Sequence, residues 1–186
     1  MRIAKIKLLP MLAMAGLLTG CSYGPTTPVT QVGRQYLSQR CSDALAQFKE
    51  TRPGMSRWID SAYAYTILPS VGAGAIGIGG ASGRGEVIRD GHLLGYCKMT
   101  QVNIGAQIGG QSFAELILFR DQYALTRFET GQTTFDARAT AVAAASGAGT
   151  AANYQYGVMV FTLPLDGLMV QAAIGGQHFT FAPAGQ

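Results

Sequence analysis

The sequence has 186 residues, with 14 Lys+Arg against 10 Asp+Glu and a formal net charge of +4. Arg2, Lys5 and Lys7 lie in the first twenty residues and no acid does, so residues 21–186 carry eleven basic against ten acidic side chains, a net charge of +1. That balance excludes the broad basic groove of a nucleic-acid-binding domain, and 166 residues after the leader suit one domain with its own core. Hydrophobic residues make up 48% and charged residues only 13%, a composition better suited to a protein tethered at a membrane than to one that must stay in solution unaided.

Residues 1–20 read as a signal peptide: a basic n-region, then a short apolar run interrupted by Pro10 and too short to span a bilayer. The run ends in Leu18-Thr19-Gly20-Cys21, which resembles a bacterial lipobox, with Cys21 as the lipidation site. Covalent acyl chains there would hold the chain on its membrane, since two or more chains make attachment lasting. Ser22 after the cysteine favours the outer membrane over the inner, on its periplasmic side. Residues 21–32, with Pro25 and Pro28, read as an extended tether, and residues 33–186 as the domain.

A helix is expected over 33–51, with Leu37, Cys41, Ala44, Leu45 and Phe48 on one face, ended by Pro53-Gly54. A second, over 55–62, carries Trp58, the only tryptophan, for which core packing and an interfacial lipid contact are the two readings. Residues 65–90 then hold seven glycines interleaved with Ile76, Ile78 and Val87. Gly72-Ala73-Gly74-Ala75-Ile76-Gly77 fits GxGxxG, but the following residues continue in Gly/Ile alternation and end in Gly-Arg-Gly, which will not open the helix that a dinucleotide site needs. Strands whose small residues permit close backbone approach are the better reading. Ile78-Gly79-Gly80 returns as Ile108-Gly109-Gly110 and Ile174-Gly175-Gly176, which suggests equivalent bends on different strands rather than a repeat of fixed period.

Two stretches stand out, Leu68-Pro69-Ser70-Val71-Gly72 and Gly77-Ile78-Gly79-Gly80-Ala81-Ser82-Gly83-Arg84-Gly85. With Gly105-Ala106-Gln107-Ile108-Gly109-Gly110-Gln111, Ala124-Leu125 to Phe128, and Gly167-Leu168-Met169, they are together similar to the SYLF lipid-binding domain, also described as an actin-binding domain in fungal members. They cover roughly residues 35 to 180. The resemblance implies a non-enzymatic domain that binds membranes or lipids, with actin binding in some eukaryotic members. In those members a basic amphipathic N-terminal helix is linked to lipid binding; here the corresponding region carries the signal and lipobox.

Further strands are expected over 63–68, 74–81, 85–89, 92–99, 101–109 and 114–120, with a turn at Arg89-Asp90-Gly91. Asp121 can cap a helix through Glu129 that turns Ala124, Leu125 and Phe128 inward and stops at Gly131. Residues 134–145 read as strand by alternation although their alanines favour helix; 146–153 read as a loop. A closing hairpin over 155–163 and 167–175, around Pro164-Leu165-Asp166-Gly167, and a strand over 178–181 finish the sheet. The fold class expected is α+β: a large, curved, mostly antiparallel β-sheet, with barrel-like closure as one form it can take, and N-terminal helices plus one inserted helix packed on it.

Little in the chain points to catalysis. His92 and His178 have no metal-ligand spacing with Cys, Asp or Glu, so no metal site or cofactor is expected. Gly110-Gln111-Ser112-Phe113-Ala114 is one residue from a nucleophile elbow but lies between strand-like runs rather than at a strand-to-helix turn. Glu86, Asp90 and Glu115 are isolated carboxylates. Cys41 and Cys97 could form a disulfide in an oxidising envelope or sit as buried thiols. Tyr63, Tyr65, Phe113, Phe119, Tyr154, Tyr156 and Phe161 could line a lipid groove or belong to the core. The expectation is a non-enzymatic phospholipid-binding outer-membrane lipoprotein, with Arg84, Arg89 and Trp58 as candidate lipid contacts. The alternative is a structural or protein-interaction module with no lipid ligand of its own.

Overall fold

A computed structural model describes residues 25–52, 54–132 and 154–185, with only the backbone described over 75–78, 103–108 and 167–175. The signal, Cys21 and the segments expected as strand over 134–145 and loop over 146–153 lie outside the described residues. The elements in order are α1 (Gln31–Thr51), α2 (Met55–Ser61), β1 (Ala64–Arg89), β2 (His92–Phe119), α3 (Gln122–Glu129) and β3 (Val158–Pro183). α1 starts two residues before the expected helix because Thr30 caps it, its hydroxyl accepting from the Gly33 N–H at 3.0 Å. Asp121 caps α3 as expected, accepting from the Ala124 N–H at 2.9 Å, and Gly131 follows with φ of +68°.

The strands differ from expectation in number. Six separate strands expected between residues 63 and 120 are two continuous ones of 26 and 28 residues. The hairpin expected at Pro164–Gly167 does not form either: those residues run inside β3, opposite a register shift between Ser112 and Phe113. Pro164 is tolerated because β3 is an outer strand, where a missing N–H interrupts no ladder on the open side. The sheet is an antiparallel meander in the order β1-β2-β3. Among the described residues β1 and β3 do not pair, so the sheet is open and does not close into a barrel.

Instead the sheet doubles over. A Cβ placed on Gly85 would stand 2.2 Å from the Ile67 carbonyl oxygen, and one on Gly83 would stand 2.9 Å from the Ser70 carbonyl oxygen. The two halves of β1 therefore cross in backbone contact, and its reversal falls between Val71 and Gly83. This is the close approach that the glycine density led one to expect, at two positions where no side chain fits. The Gly-Gly pairs are not equivalent bends. Gly79-Gly80 and Gly175-Gly176 lie on either side of Asn103 and Val102, whereas Gly109-Gly110 sits opposite Ala75 and Gly74. Only Gly109 of the second pair has positive φ, and a Cβ on Gly110 would meet nothing nearer than 3.6 Å.

Alternation sorts the core into two layers. Leu68, Val71, Ile117, Phe119, Val158 and Val160 face inward between the halves, meeting Val87, Cys97, Met99 and Phe179. Phe128 of α3 enters this layer with its ring centroid 5.0 Å from both Phe119 and Phe179, so it touches each half. The alternate residues, Ile67, Leu116, Leu118, Met159 and Phe161, face outward and are covered by Cys41, Ala44 and Phe48 of α1 with Met55 and Ile59 of α2.

Candidate functional site

Where β1 crosses itself, α1 lies alongside, and a cleft of about 450 Å³ remains between them. Its lining brings together Arg40 from α1, Ser70 from the first half of β1, Ser82 and Arg84 from the second half, and Lys98 from β2. Arg84 and Lys98 are directly opposed across the β1–β2 ladder. Arg40 projects from the flank of α1 beside the buried Cys41 and lies 5.8 Å from the Tyr36 ring centroid, which also lines the cleft. Lys98 is only 9% exposed. No carboxylate is among the lining residues.

The segment entering α1 is fastened to the same region. Arg84 donates from Nε to the Pro25 carbonyl at 2.9 Å, Arg34 donates to the Pro28 carbonyl at 3.2 Å, and the Thr26 and Thr180 hydroxyls are 3.0 Å apart. Residues 25–30, expected as part of an extended tether over 21–32, are fastened to the fold by these bonds. Beside the cleft, Val29, Val32 and Tyr36 are 80%, 74% and 65% exposed, spaced so that Val32 and Tyr36 stand one turn apart on α1.

The other residues singled out in the sequence lie elsewhere. Arg89 stacks 4.1 Å over the Tyr63 ring and pairs with Asp90 at 3.3 Å; it does not line the cleft that holds Arg84. Trp58 is 38% exposed on α2, whose buried face is Met55 and Ile59, so its ring is not part of the core. The aromatic candidates do not form a groove: Phe119 and Phe161 are buried, Tyr63 and Phe113 pack on one core layer, Tyr65 and Tyr154 on the other, and Tyr156 is exposed. Cys41 and Cys97 are both free and buried. Arg40 and Lys98 carried no signal in the sequence, since the crossing that joins them to Arg84 links positions far apart in the chain.

On the other side of α1 a smaller cleft, of about 270 Å³, is lined by Ser38, Cys41, Tyr65 and Glu86. Burial pushes the Cys41 thiol well above its ordinary range, with the nearby Glu86 charge adding to it. Burial also raises Glu86, an effect that a hydrogen bond from Ser38 partly offsets. A thiol so held is a small hydrophobe rather than a nucleophile, because the thiolate is the reactive form. Among the described residues no three His, Cys, Asp or Glu side chains cluster as metal ligands would, and no helix is long and apolar enough to cross a membrane. The chain matches no family model and no curated protein.

Proposed function

We propose that this chain is a non-enzymatic, lipid-anchored envelope protein whose domain associates with phospholipid at the outer membrane. The observation that carries this reading is the fastening of Pro25 beside the cleft. With Cys21 acylated, only three residues lie between the anchor and that point, a reach of at most about 14 Å in extended chain. The cationic cleft and the exposed Val29, Val32 and Tyr36 are then held against the bilayer surface. The resemblance to SYLF domains points the same way. Burying two valines and one tyrosine ring contributes roughly 4 kcal/mol, equivalent to millimolar affinity, so the acyl chains must supply lasting attachment.

Two measurements test the reading. Residues 22–186, which include every residue of the described fold, should float with phospholipid vesicles and carry lipid detectable by mass spectrometry. In cells, Cys21→Ser should abolish incorporation of labelled palmitate. A chain that neither floats nor carries lipid is an interaction module instead. A Cys21→Ser chain that still takes up palmitate and matures normally removes the anchor.

A further inference from the structure

We infer that the smaller cleft beside α1 is a binding site for a primary ammonium group on a short apolar body, with Glu86 as its counter-ion. Its walls come from α1, from both halves of β1 and from the turn into β2, so the crossing of β1 under the helix is what assembles it. Along the second half of β1 the side chains alternate: Val87 enters the core between the sheet halves, while Glu86 and Ile88 face the cleft. Glu86 is 4% exposed. The Ser38 hydroxyl donates to its carboxyl, yet Oε1 is buried without a hydrogen-bond partner among the described residues. No Lys, Arg or His is among the described residues that line the cleft, and a buried carboxylate left unpaired is costly. The site goes beyond the membrane reading above and takes nothing from it.

The lining sets the chemistry of the ligand. Its one formal charge is negative, which selects a cation. Cys41 is already engaged, its Sγ donating to the Ile67 carbonyl at 3.6 Å. The oxygens that remain are Glu86 Oε1 and the hydroxyls of Ser38, Ser42 and Tyr65. Burial raises the Tyr65 phenol, and the charges of Cys41 and Glu86 add to it, so the phenol and the carboxyl are close neighbours. The three N–H donors of an ammonium match such a set, whereas the five of a guanidinium outnumber it and a quaternary ammonium offers none. Leu45, Ile88 and Leu93 give the same cleft apolar walls. Its volume of about 270 Å³ lies just below the usual range of ligand sites and takes an ammonium on an alkyl stem rather than a larger molecule. Burial disfavours the ionised form of Glu86; an ammonium seated beside it restores that form. A free small amine and the lysine side chain of a protein both present this chemistry.

The test follows the amide chemical shifts of the full-length protein in a nonionic detergent at pH 8, titrated with isopentylamine. The amine should bind saturably and shift the α1 and β1 amides that line the cleft. Glu86→Gln keeps the shape and removes the charge, and should weaken binding at least tenfold, the scale of one charge-assisted hydrogen bond. Leu93→Arg should do the same from the rim, where Leu93 is 39% exposed and a fixed cation excludes the ligand with little demand on folding. Glu50→Gln, the same change of charge on α1 outside the cleft, should leave binding unchanged. Isopentyltrimethylammonium, with the stem and the charge but no N–H, should bind at least tenfold more weakly than isopentylamine. Nα-acetyl-lysine methylamide distinguishes the sources: tighter binding than isopentylamine makes the lysine of a protein the ligand, and weaker binding makes it a free amine. Binding undiminished in both Glu86→Gln and Leu93→Arg, weakened as much by Glu50→Gln, or matched by the trimethylated probe overturns the site. Absence of binding by both amines to the folded protein overturns it equally, and Glu86 is then a carboxyl that meets burial by keeping its proton.

Discussion

Glu115 gives the sharpest quantitative expectation. It is fully buried in β2, and Gln177 of the opposite sheet half donates to its Oε2 at 2.9 Å. Its Oε1 and the Gln177 Oε1 are both buried acceptors without a donor. Burial raises the carboxyl from its ordinary 4.5 to about 7, the Gln177 bond pulling slightly the other way. A proton on Glu115 supplies the donor that the pair lacks. The sign follows from linkage: between pH 4.5 and 7 the folded chain keeps a proton that the unfolded chain has released, so stability falls as pH rises through that window. At 1.36 kcal/mol for each pH unit of difference between folded and unfolded pKa, the loss between pH 4 and pH 8 is about 3 kcal/mol. Glu115→Gln keeps the shape, supplies an amide donor and removes the titration. Urea denaturation followed by the fluorescence of Trp58 should show the variant near wild type at pH 5 and more stable by up to about 3 kcal/mol at pH 8. Glu86, which burial also raises, is common to both proteins and cancels in the difference. Parallel stability curves from pH 5 to pH 8 would refute the argument.

Two further expectations concern packing. Gly85→Ala puts a methyl where the Ile67 carbonyl stands, so the halves of β1 must separate and the melting temperature should fall by an amount equivalent to about 3 kcal/mol. Gly110→Ala, with no atom closer than 3.6 Å, should stay within about 1 kcal/mol of wild type; the reverse order would sink the doubled-sheet account. Phe128→Ala removes the ring that touches both halves and should cost about 4 kcal/mol by chemical denaturation, whereas a loss below 1 kcal/mol would mean that α3 is not part of the core.

The helices were legible because their signals are local. Asp121, the inward set Ala124, Leu125 and Phe128, and the stop at Gly131 all lie within eleven residues. The strands were legible in type but not in extent, because glycine inside β1 and β2 reads as punctuation when it can equally be the relief that lets one strand cross itself. Gly83 and Gly85 serve that crossing, and Gly110 does not. Of the cleft, only Arg84 was singled out. Arg40 lies 44 residues before it on a helix, Lys98 joins through register, and a net charge near zero conceals any local gathering of like charges. Glu115 looked isolated for the same reason: its partner Gln177 is 62 residues away and meets it only once the sheet has doubled.

The turn between β1 and β2 bears on how such a sheet can assemble. Asp90 and Gly91 both have positive φ, at 52° and 76°, and Arg89 pairs with His92 directly across them. A two-residue loop of this hand matches strand twist and closes without help from distant residues, on the microsecond scale of hairpin formation. From there each rung of the ladder places the next, out to Ala64 opposite Phe119, so the longest pairing in the molecule is reached by zipping rather than by search. β3 has no such shortcut. Phe119 must find Val158 across a connection of 38 residues that includes α3, and that closure is governed by the entropy of a long loop. The two ladders therefore differ in time although they look alike in space. While β3 is still absent, β2 presents a bare edge of 28 residues, the interval in which pairing with another chain competes with folding.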